Sequence, residues 1–600
     1  MSPRYLLAVA AGDLPDWPRR LERLGRATGL PLVFSTARLG AFVSGHCRCI
    51  PLGTEGCVIG TLFHRHGPAS PLTRLEDADA TAILRSGGDR LLRQFWGGYV
   101  AALPADGDVR ILRDPSAGLP CYHAGEQGLS LFASDAELLA DSGLARGDVD
   151  WTALARHFFN RGVPTGETVL AGVRELMAGF ALGAADAGAQ RPVWSPWDHV
   201  DGRPEGSVEA GQRLMRAVKT SVQGWSAAHE RLLLSVSGGL DSSIVAAALA
   251  DRPAETTCLT LYGVDASGDE RTYARALCAH LGLRLIEKPY RLEDIDISEP
   301  LGAHLPRPTD RTQALAYERA HLETAREIGA SAFVTGNGGD SVFGYSQSGA
   351  AAADRYLAEG LGRGVFRTLR DISVQTGCGL AAAARAAWRI ARAPPAYRCK
   401  PDPLFLHPKV LAALGPHPPD HAWLDAPPGA LPGKAAHIAS ILRLQQCMEP
   451  TRGRHLPVLN PLMAQPVVEA CLAVPTWEWR AGGQDRSLAR NAFAGQLPPL
   501  VIGRRVKGGP DGFAAQILDH FRASIRERLL GGRLAAHGLI DTHAVAQALD
   551  DPGPGDGNHR VRLLEFLAAE AWLDSWASRR RLFAGRGEGR VRGAAGTSPS

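Results

Sequence analysis

Lysine is scarce in this chain of 600 residues: it occurs only six times, at positions 219, 288, 400, 409, 434 and 507. Long apolar runs are absent too. None approaches the roughly 18–20 residues that a membrane-spanning helix needs, which argues against an integral membrane protein. Cysteine is also sparse, with ten residues scattered along the chain. This pattern excludes a disulfide-stapled domain, fits a reducing compartment and predicts a cytoplasmic protein.

Charge of either sign gives little indication of a partner. The 66 basic and 62 acidic residues leave a net charge of +4, too small over this length to predict binding to nucleic acid or to a membrane surface. Apolar residues make up 45% of the chain and charged residues 21%, as in ordinary globular proteins. Local motifs must therefore indicate the function.

The distribution of residue types predicts three segments. Residues 1–200 contain short apolar runs broken by Gly, Pro and Asp, which favours strands. The apolar stretch 4–11 has only one positive charge and no clear cleavage pattern, so we expect a first buried strand and not a signal peptide. A Pro- and Trp-rich stretch at 191–205 predicts a boundary near 200. Residues 201–580 form the second domain, and 581–600 a frayed basic tail.

The second domain alternates strand-like and helix-like segments. The apolar run 231–236 is followed by a glycine turn and a helix-like segment at 242–250, and similar alternation continues to 335. This order is typical of a doubly wound α/β fold with a parallel sheet. Residues 350–450 are rich in Ala, Arg and Leu, which predicts helical additions.

One run carries the clearest chemical signal: Ser237-Gly238-Gly239-Leu240-Asp241-Ser242-Ser243. It lies between the apolar strand and the helix, where glycines allow close backbone approach and the helix N-terminus presents unpaired N–H groups. A simple turn with an N-cap could also contain Ser and Asp. The joint pattern favours a phosphate-binding loop.

This run resembles the SGGxDS loop of ATP pyrophosphatases, a signature of asparagine synthetases and their relatives. The resemblance implies that ATP is cleaved between its α and β phosphates, that AMP is attached to a carboxylate, and that pyrophosphate is released. It implies a set of ATP-binding residues: Ser235, Val236, Ser237, Gly238, Gly239, Leu240, Asp241, Ser242, Ser243, Leu261, Gly336, Gly338 and Gly339.

A second run, from Thr335 to Tyr345, is similar to the SGxGxDExFGGY segment of the same family. Asp340 then matches the second Mg²⁺-binding aspartate of the family, with Asp241 as the first. Carboxylate and phosphate oxygens suit Mg²⁺, and parallel strands deliver such groups to one edge of a sheet. ATP and Mg²⁺ are the implied cofactors, and Asp241 and Asp340 the implied metal ligands.

A third run, Gly503 to Gly509, is similar to the family's R-x-K-x-G segment. Lys507 matches the lysine that stabilises negative charge during adenylation and acyl transfer. A lone lysine is usually a solvated surface charge. In a chain that otherwise uses arginine, Lys507 is a candidate catalytic residue together with Asp241 and Asp340.

Residues 1–200 resemble the family's glutamine amidotransferase domain, an Ntn-hydrolase-like sandwich, through segments at 95–100, 113–122 and 132–135. Glutaminase activity needs Cys directly after the initiator Met, so that its own α-amine activates the thiol. This chain has Ser2 there, and its first cysteine is Cys47. Ser2 is a poorer nucleophile, so we expect the fold to persist without amidase chemistry.

Residues expected to recognise the substrate also depart from the family pattern. Asparagine synthetases have Glu and β-lactam synthetases Tyr where this chain has Asn337, and an amide is no general base at neutral pH. The acidic E-x-R-x-P-F-L-D segment is replaced at 453–460 by neutral and basic residues. With glutaminase lost and the acceptor site remodelled, the chain most resembles lasso peptide cyclases. The resemblance implies adenylation of an Asp or Glu side chain in a ribosomal precursor peptide and macrolactam closure by its N-terminal amine, an intramolecular attack with a high effective concentration.

Two other functions stay open: an ammonia-dependent asparagine synthetase-like amidotransferase, and an inactive scaffold that binds peptides or proteins. The expected partners are the precursor peptide and, by resemblance, a leader peptidase and an ABC exporter. The residues His46, Cys47, Cys49, Cys57, His64 and His66 could suggest zinc, but their spacing fits a zinc knuckle poorly and strands explain them better.

Overall fold

Three sheets organise the chain, two antiparallel sheets of six strands followed by one parallel sheet of five. The structure is a computed structural model that describes residues 3–44, 47–105, 107–184, 189–200, 206–250, 255–263, 268–309, 311–395, 400–415, 419–448, 451–505, 511–550 and 557–594. The predicted α/β fold is confirmed.

The strands of the antiparallel sheets come first. They are β1 (Tyr5–Ala10), β2 (Leu32–Ser35), β3 (Leu39–Val43), β4 (Cys49–Leu52), β5 (Gly56–His64), β6 (Phe95–Ala105), β7 (Asp108–Arg113), β8 (Tyr122–Glu126), β9 (Leu129–Ala133), β10 (Arg174–Glu175), β11 (Phe180–Gly183) and β12 (Arg191–Pro192). The parallel sheet contains β13 (Arg231–Ser235), β14 (Glu255–Tyr262), β15 (Arg284–Pro289), β16 (Ala332–Val334) and β17 (Val458–Leu459).

Helices flank the first two sheets and surround the third. Up to residue 342 they are α1 (Trp17–Thr28), α2 (Asp77–Arg85), α3 (Asp89–Gln94), α4 (Ala136–Asp141), α5 (Trp151–Phe159), α6 (Ser207–Ser226), α7 (Leu240–Leu249), α8 (Arg271–Leu281), α9 (Ala314–Ile328) and α10 (Gly339–Val342). The remaining helices are α11 (Ala350–Glu359), α12 (Arg363–Thr376), α13 (Leu380–Ala391), α14 (Pro408–Leu414), α15 (Pro432–Leu444), α16 (Gln465–Leu472), α17 (Ser487–Phe493), α18 (Pro499–Ile502), α19 (Asp511–His520), α20 (Arg522–Gly531), α21 (Arg533–Ala536), α22 (Thr542–Asp550) and α23 (Gly557–Ala594).

The two antiparallel sheets form a sandwich. The first has the order β10-β8-β9-β1-β3-β2 and the second β12-β11-β7-β6-β5-β4. Apolar side chains of both sheets, such as Leu7 and Leu39 from the first and Val58 and Val100 from the second, belong to one hydrophobic core. The predicted first strand is β1, and all six of its residues are buried, which explains its continuous apolar run.

The parallel sheet has the order β15-β14-β13-β16-β17. The chain therefore builds outward from β13 in one direction and then returns to its other side with β16. Leu234 of β13 lies opposite Cys258 of β14 and Val334 of β16. The gap between β13 and β16 is thus the point where the strand order reverses, which is where ligands bind in open α/β sheets.

Helices α11, α12 and α13 fill much of the region predicted to be helical, and they share a small core that includes Ala352, Ile372 and Ala387. At the end of the chain, the sequence predicts a frayed tail at 581–600, whereas α23 extends to Ala594. Among the described helices, none combines the length and the apolar character that crossing a bilayer requires.

Candidate active site

The two glycine motifs open side by side at the carboxyl edge of the parallel sheet. The first connects β13 to α7, and the second connects β16 to α10. Because β13 and β16 are paired in parallel, both loops leave the sheet at the same edge. The order of strands therefore brings together two motifs that are far apart in sequence.

Two features determine the path of the first loop. Gly238 has a φ of +60°, and a Cβ atom there would lie 2.2 Å from Cβ of Tyr273, so only glycine fits. Ser243 is fully buried, and its hydroxyl donates to the carbonyl of Gly239 over 2.7 Å. Ser243 therefore anchors the loop to the first turn of α7, whose N–H groups are oriented to receive an anion.

Glycines of the second motif allow direct contact with the first. A Cβ atom on Gly336 would lie 2.5 Å from the backbone nitrogen of Ser242, and one on Gly339 would lie 2.2 Å from Cγ of Asp241. Real Cβ atoms do not approach other atoms so closely, so any side chain would force the loops apart. The two motifs thus form one packed unit.

Asp241 and Asp340 meet at a single arginine. Nη1 of Arg486 lies 3.1 Å and 3.0 Å from the two carboxylate oxygens of Asp241 and also donates to Asp340. Its Nη2 donates to Asp485 over 2.7 Å. Burial lowers the pKa of Arg486, but the carboxylates of Asp241, Asp340 and Asp485 raise it overall. A cation already lies between the two predicted metal ligands.

The residues at this point fit a magnesium ion. Two carboxylates converge on one positively charged group, and hard oxygen donors are the ligands that Mg²⁺ prefers. In the described part of the chain, no group of three or more His, Cys, Asp or Glu side chains is arranged to hold a metal. Phosphate oxygens and water would have to complete the coordination. The zinc candidates form no such group among the described residues either, and His46 lies outside them.

A cavity of about 490 Å³ opens beside the two aspartates, and it is lined by Asp241 but not by Asp340. Nine of the predicted nucleotide-binding residues line it: Ser235, Val236, Ser237, Gly239, Leu240, Asp241, Ser242, Leu261 and Gly336. The other four, Gly238, Ser243, Gly338 and Gly339, do not line it and belong to the turns that shape the two loops. A cavity of this volume is in the range of small-molecule sites.

Arginines that the sequence analysis did not assign to the nucleotide site line the cavity. Nη1 of Arg504 donates to the carbonyl of Ser237 over 3.0 Å, its Nη2 pairs with Glu270, and its guanidinium carbon lies 4.1 Å from the ring centre of Tyr273. Arg490 and Arg505 also line the cavity. Lys507, the residue predicted in the same run as Arg504, lies outside the described residues.

A serine and a histidine form a hydrogen-bonded pair inside the cavity. The hydroxyl of Ser235 lies 2.6 Å from Nε2 of His321, and Nδ1 of His321 lies 2.7 Å from the carbonyl of Tyr317. Because a carbonyl only accepts, Nδ1 carries the proton and Nε2 accepts from Ser235. Burial, with a smaller effect of the Arg452 charge, lowers the pKa of His321 to about 3. No motif indicated His321, which only the packing of α9 brings to β13.

Asn337 lines the cavity and is linked to Asn460 through Thr335. The backbone N–H of Asn337 donates to Thr335 over 3.1 Å, and the Thr335 hydroxyl donates to Oδ1 of Asn460 over 2.6 Å. Asn460 belongs to the segment in which the family's acidic residues are replaced. Asn337, where asparagine synthetases have Glu, is thus fixed through its backbone by hydrogen bonds among neutral groups.

The N-terminal sandwich borders a separate cavity of about 670 Å³ lined by Pro3, Cys47 and Gly60 among others. Ser2 lies outside the described residues. Cys47 is buried, and burial raises the pKa of its thiol to about 12. It therefore stays protonated near neutral pH and is unsuited to act as a nucleophile.

A family model covers the part of the chain that contains this site. Residues 213–574 match the family model of asparagine synthase. No curated protein shows significant similarity to the chain. A glutamine phosphoribosylpyrophosphate amidotransferase from B. subtilis, complexed with ADP and GMP, is 11% identical, with a TM-score of 0.20, over 55% of this chain and 90% of its own. A structure described as the allosteric regulatory enzyme of purine biosynthesis is likewise 11% identical, with a TM-score of 0.20, over 55% and 89% of the two chains.

Proposed function

The chain belongs to the asparagine synthase family, and we propose that it is a lasso peptide cyclase. Family membership indicates an ATP-dependent amide-forming ligase. The finer proposal is that it adenylates an Asp or Glu side chain of a precursor peptide and that the peptide's N-terminal amine then closes a macrolactam. The observation that carries it is the meeting of Asp241 and Asp340 beside a cavity lined by the glycine loop.

The proposed reaction has two steps. An oxygen of the peptide carboxylate attacks the α-phosphorus of ATP, the bond to the bridging oxygen breaks, and pyrophosphate leaves. The N-terminal amine then attacks the acyl carbon, AMP leaves, and the amine gives up a proton. The product is one water lighter than the peptide, and no external ammonia is consumed.

Residues of this chain have distinct roles in the proposal. Asp241 and Asp340 hold Mg²⁺, which would neutralise charge on the triphosphate when bound. The N–H groups at the start of α7 bind the departing phosphates, and Arg504 keeps the loop in place through the carbonyl of Ser237. Lys507 is proposed to stabilise negative charge during acyl transfer.

Two features favour an intramolecular amine over ammonia. Burial raises the pKa of the Cys47 thiol, so Cys47 does not supply the thiolate that glutaminase chemistry needs. Asn337 stands where asparagine synthetases have Glu, and Asn460 belongs to the segment 453–460, in which the family's acidic residues are replaced, so we do not expect recognition of free aspartate as in asparagine synthesis. An amine attached to the activated molecule needs no ammonia supply, because it is already present at high effective concentration.

The test is to incubate the enzyme with ATP, Mg²⁺ and a leader-free precursor peptide. AMP, pyrophosphate and a product lighter by one water support the proposal, whereas ADP overturns the adenylation step. AMP formed with free aspartate and ammonia, without peptide, would instead indicate an asparagine synthetase-like enzyme. Two results would indicate an inactive scaffold: no ATP turnover by the parent, or ATP turnover that is the same in the parent and in Asp241→Asn and so does not come from the proposed site.

A further inference from the structure

A second cavity, of about 320 Å³, lies next to the second glycine motif. The loop after α10, the start of α11, helix α15 and the segment 476–480 enclose it. The side chains that determine its chemistry are Ser341, Tyr345, His437, Ser440, Trp479 and Arg480. We call this space the Arg480 cavity.

Arg480 brings a buried positive charge to this cavity. Its side chain is 2% exposed, and its guanidinium donates to Oε1 of Gln375 over 2.8 Å and to the carbonyl of Ser346. Both acceptors are neutral. Burial lowers the pKa of Arg480 to about 10, and the charge of Asp485 opposes this from a distance. Asp485 itself pairs with Arg486 and Arg490.

Among the described residues, no carboxylate lies within ion-pair distance of Arg480. Removing a charge from water without pairing it is unfavourable, so such groups are normally compensated. A guanidinium held by neutral acceptors in a cavity is therefore suited to an anion that enters from outside.

Other polar groups define the kind of anion. Trp479 is 1% exposed, and its indole N–H has no acceptor among the described residues. Nε2 of His437 lies 3.0 Å from the carbonyl of Val342, so that nitrogen carries the proton and Nδ1, which has no donor partner in the described part of the chain, can only accept. Two buried atoms of residues that line the cavity thus lack partners in the described part of the chain: the Trp479 N–H lacks an acceptor and Nδ1 of His437 lacks a donor. A residue with a side-chain carboxylate and a backbone N–H supplies both.

The Arg480 cavity adjoins the nucleotide site without being part of it. Ser341 directly follows Asp340, and the ring of Tyr345 has its centre 5.5 Å from the guanidinium carbon of Arg486. Tyr345 is 42% exposed, so the side of the cavity that it forms is open to solvent. The two cavities share no lining residue, so a carboxylate bound at Arg480 is a different group from the carboxylate that receives AMP.

We propose that the Arg480 cavity binds an acidic residue of the peptide substrate other than the residue whose carboxylate is activated. This inference rests on the proposed function and adds a substrate requirement to it. A second carboxylate held beside the site would fix the orientation of the peptide before activation.

Binding is tested with two small compounds on the full chain, which carries 5-fluorotryptophan. The Trp479→Phe variant assigns the ¹⁹F resonance of Trp479. We expect N-acetyl-glutamate methylamide to shift this resonance in a saturable way, and N-acetyl-glutamine methylamide to bind at least about tenfold more weakly, the loss of one charge-assisted hydrogen bond. No shift, or equal shifts with the two compounds, would overturn the proposal.

Variants separate binding from folding. Arg480→Gln should abolish the shift while leaving the circular dichroism spectrum unchanged. If it unfolds, Ser440→Glu gives a second route, because it places a carboxylate inside the cavity. We expect Ser440→Glu to block the compound and raise the melting temperature, whereas Ser440→Gln, which fills the same space without the charge, should not raise it. Binding that persists in Ser440→Glu contradicts the proposal.

Peptide turnover distinguishes this inference from the proposed function. Arg480→Gln should raise KM for a precursor peptide at least about tenfold and kcat much less, since only ground-state binding is lost. Binding of the glutamate compound without AMP formation from peptide would refute the proposed function and leave the cavity assignment in place. AMP formation with an unchanged KM in Arg480→Gln would refute the cavity assignment alone.

Discussion

Asp241 and Asp340 share one hydrogen-bond donor, Nη1 of Arg486, which lies 3.0 Å from Oδ2 of Asp241 and also contacts Asp340. This sharing combines the parallel pairing of β13 with β16, which brings the two aspartates together, with the packing that places Arg486 beside them. It means that Mg²⁺ and the guanidinium compete for the same two carboxylates. Binding of the metal therefore requires Arg486 to turn away from at least one of them.

This competition predicts that Arg486→Ala binds divalent cations more tightly when no nucleotide is present. The metal no longer has to displace the charge-assisted hydrogen bonds of Arg486, which are worth about 1.5–3 kcal/mol. The affinity for the cation should therefore rise on the order of tenfold or more. Titration with Mn²⁺, followed by electron paramagnetic resonance, measures it. Arg505→Ala is the control, because Arg505 lines the cavity but does not bond to Asp241 or Asp340. Equal affinities in the two variants would contradict the competition.

Replacing either aspartate should stop adenylation. Asp241→Asn and Asp340→Asn keep the size of the side chain but remove the charge that holds the metal, so we expect AMP formation to fall by at least about a hundredfold. Asp269→Asn is the matched control, since Asp269 pairs with Arg271 at the start of α8. Peptide-dependent release of AMP is the readout. Near-normal turnover by the Asp340→Asn variant would show that Asp340 does not bind the metal.

The contact between the two glycine motifs predicts that Gly339→Ala is damaging. Its Cβ would lie 2.2 Å from Cγ of Asp241, and relief of such overpacking typically costs about 1–3 kcal/mol. We expect weaker ATP binding by equilibrium dialysis and a lower midpoint of urea unfolding. A Cβ on Gly379 would meet nothing within 4 Å, so Gly379→Ala should be near neutral. Similar ATP affinity in both variants would argue against the packed unit.

Burial of His321 predicts a dependence of stability on pH. Burial lowers its pKa to about 3 in the folded chain, whereas an unfolded histidine titrates near about 6.5. Between these pH values the unfolded state binds one more proton than the folded state. The free energy of unfolding therefore falls by about 1.4 kcal/mol for each unit by which the pH is lowered.

His321→Gln should remove that contribution. The slope of the unfolding free energy between about pH 6 and pH 4 should then decrease by about 1.4 kcal/mol per pH unit relative to the parent. Urea titrations at several pH values measure the slope. His280→Gln, on the exposed face of α8, is expected to keep the parental slope. An unchanged slope in His321→Gln would mean that the ring is charged or accessible in the folded protein.

Local patterns were sufficient for much of this site. Glycine pairs after apolar runs predicted the loops at 237–243 and 335–345, because the residue types that allow a tight turn and a close approach are few. The predicted strand β1 and the α/β alternation were confirmed for a similar reason, since continuous burial demands continuous apolar sequence. The roles of Asp241, Asp340 and Lys507 in catalysis stay predictions.

Arg486, His321 and Arg480 could not be found in this way, and Arg504, although it lies in the run from Gly503 to Gly509, was not assigned to the site. An arginine-rich chain contains many such residues, and nothing in their neighbours' types separates those in the site from those on the surface. Their positions depend on how α9, α17 and the segments around 480 and 504 pack against the sheet, which is a long-range property.

The amino-acid sequence by itself determined the two turns that can hold phosphate and the carboxylates next to them, because backbone conformation and helix N-termini are local consequences of residue type. Only the tertiary structure decided which charged side chains face those carboxylates. That choice depends on the strand order β15-β14-β13-β16-β17, and on the packing of distant helices that buries Arg486 and Arg480 where water can no longer screen their charge.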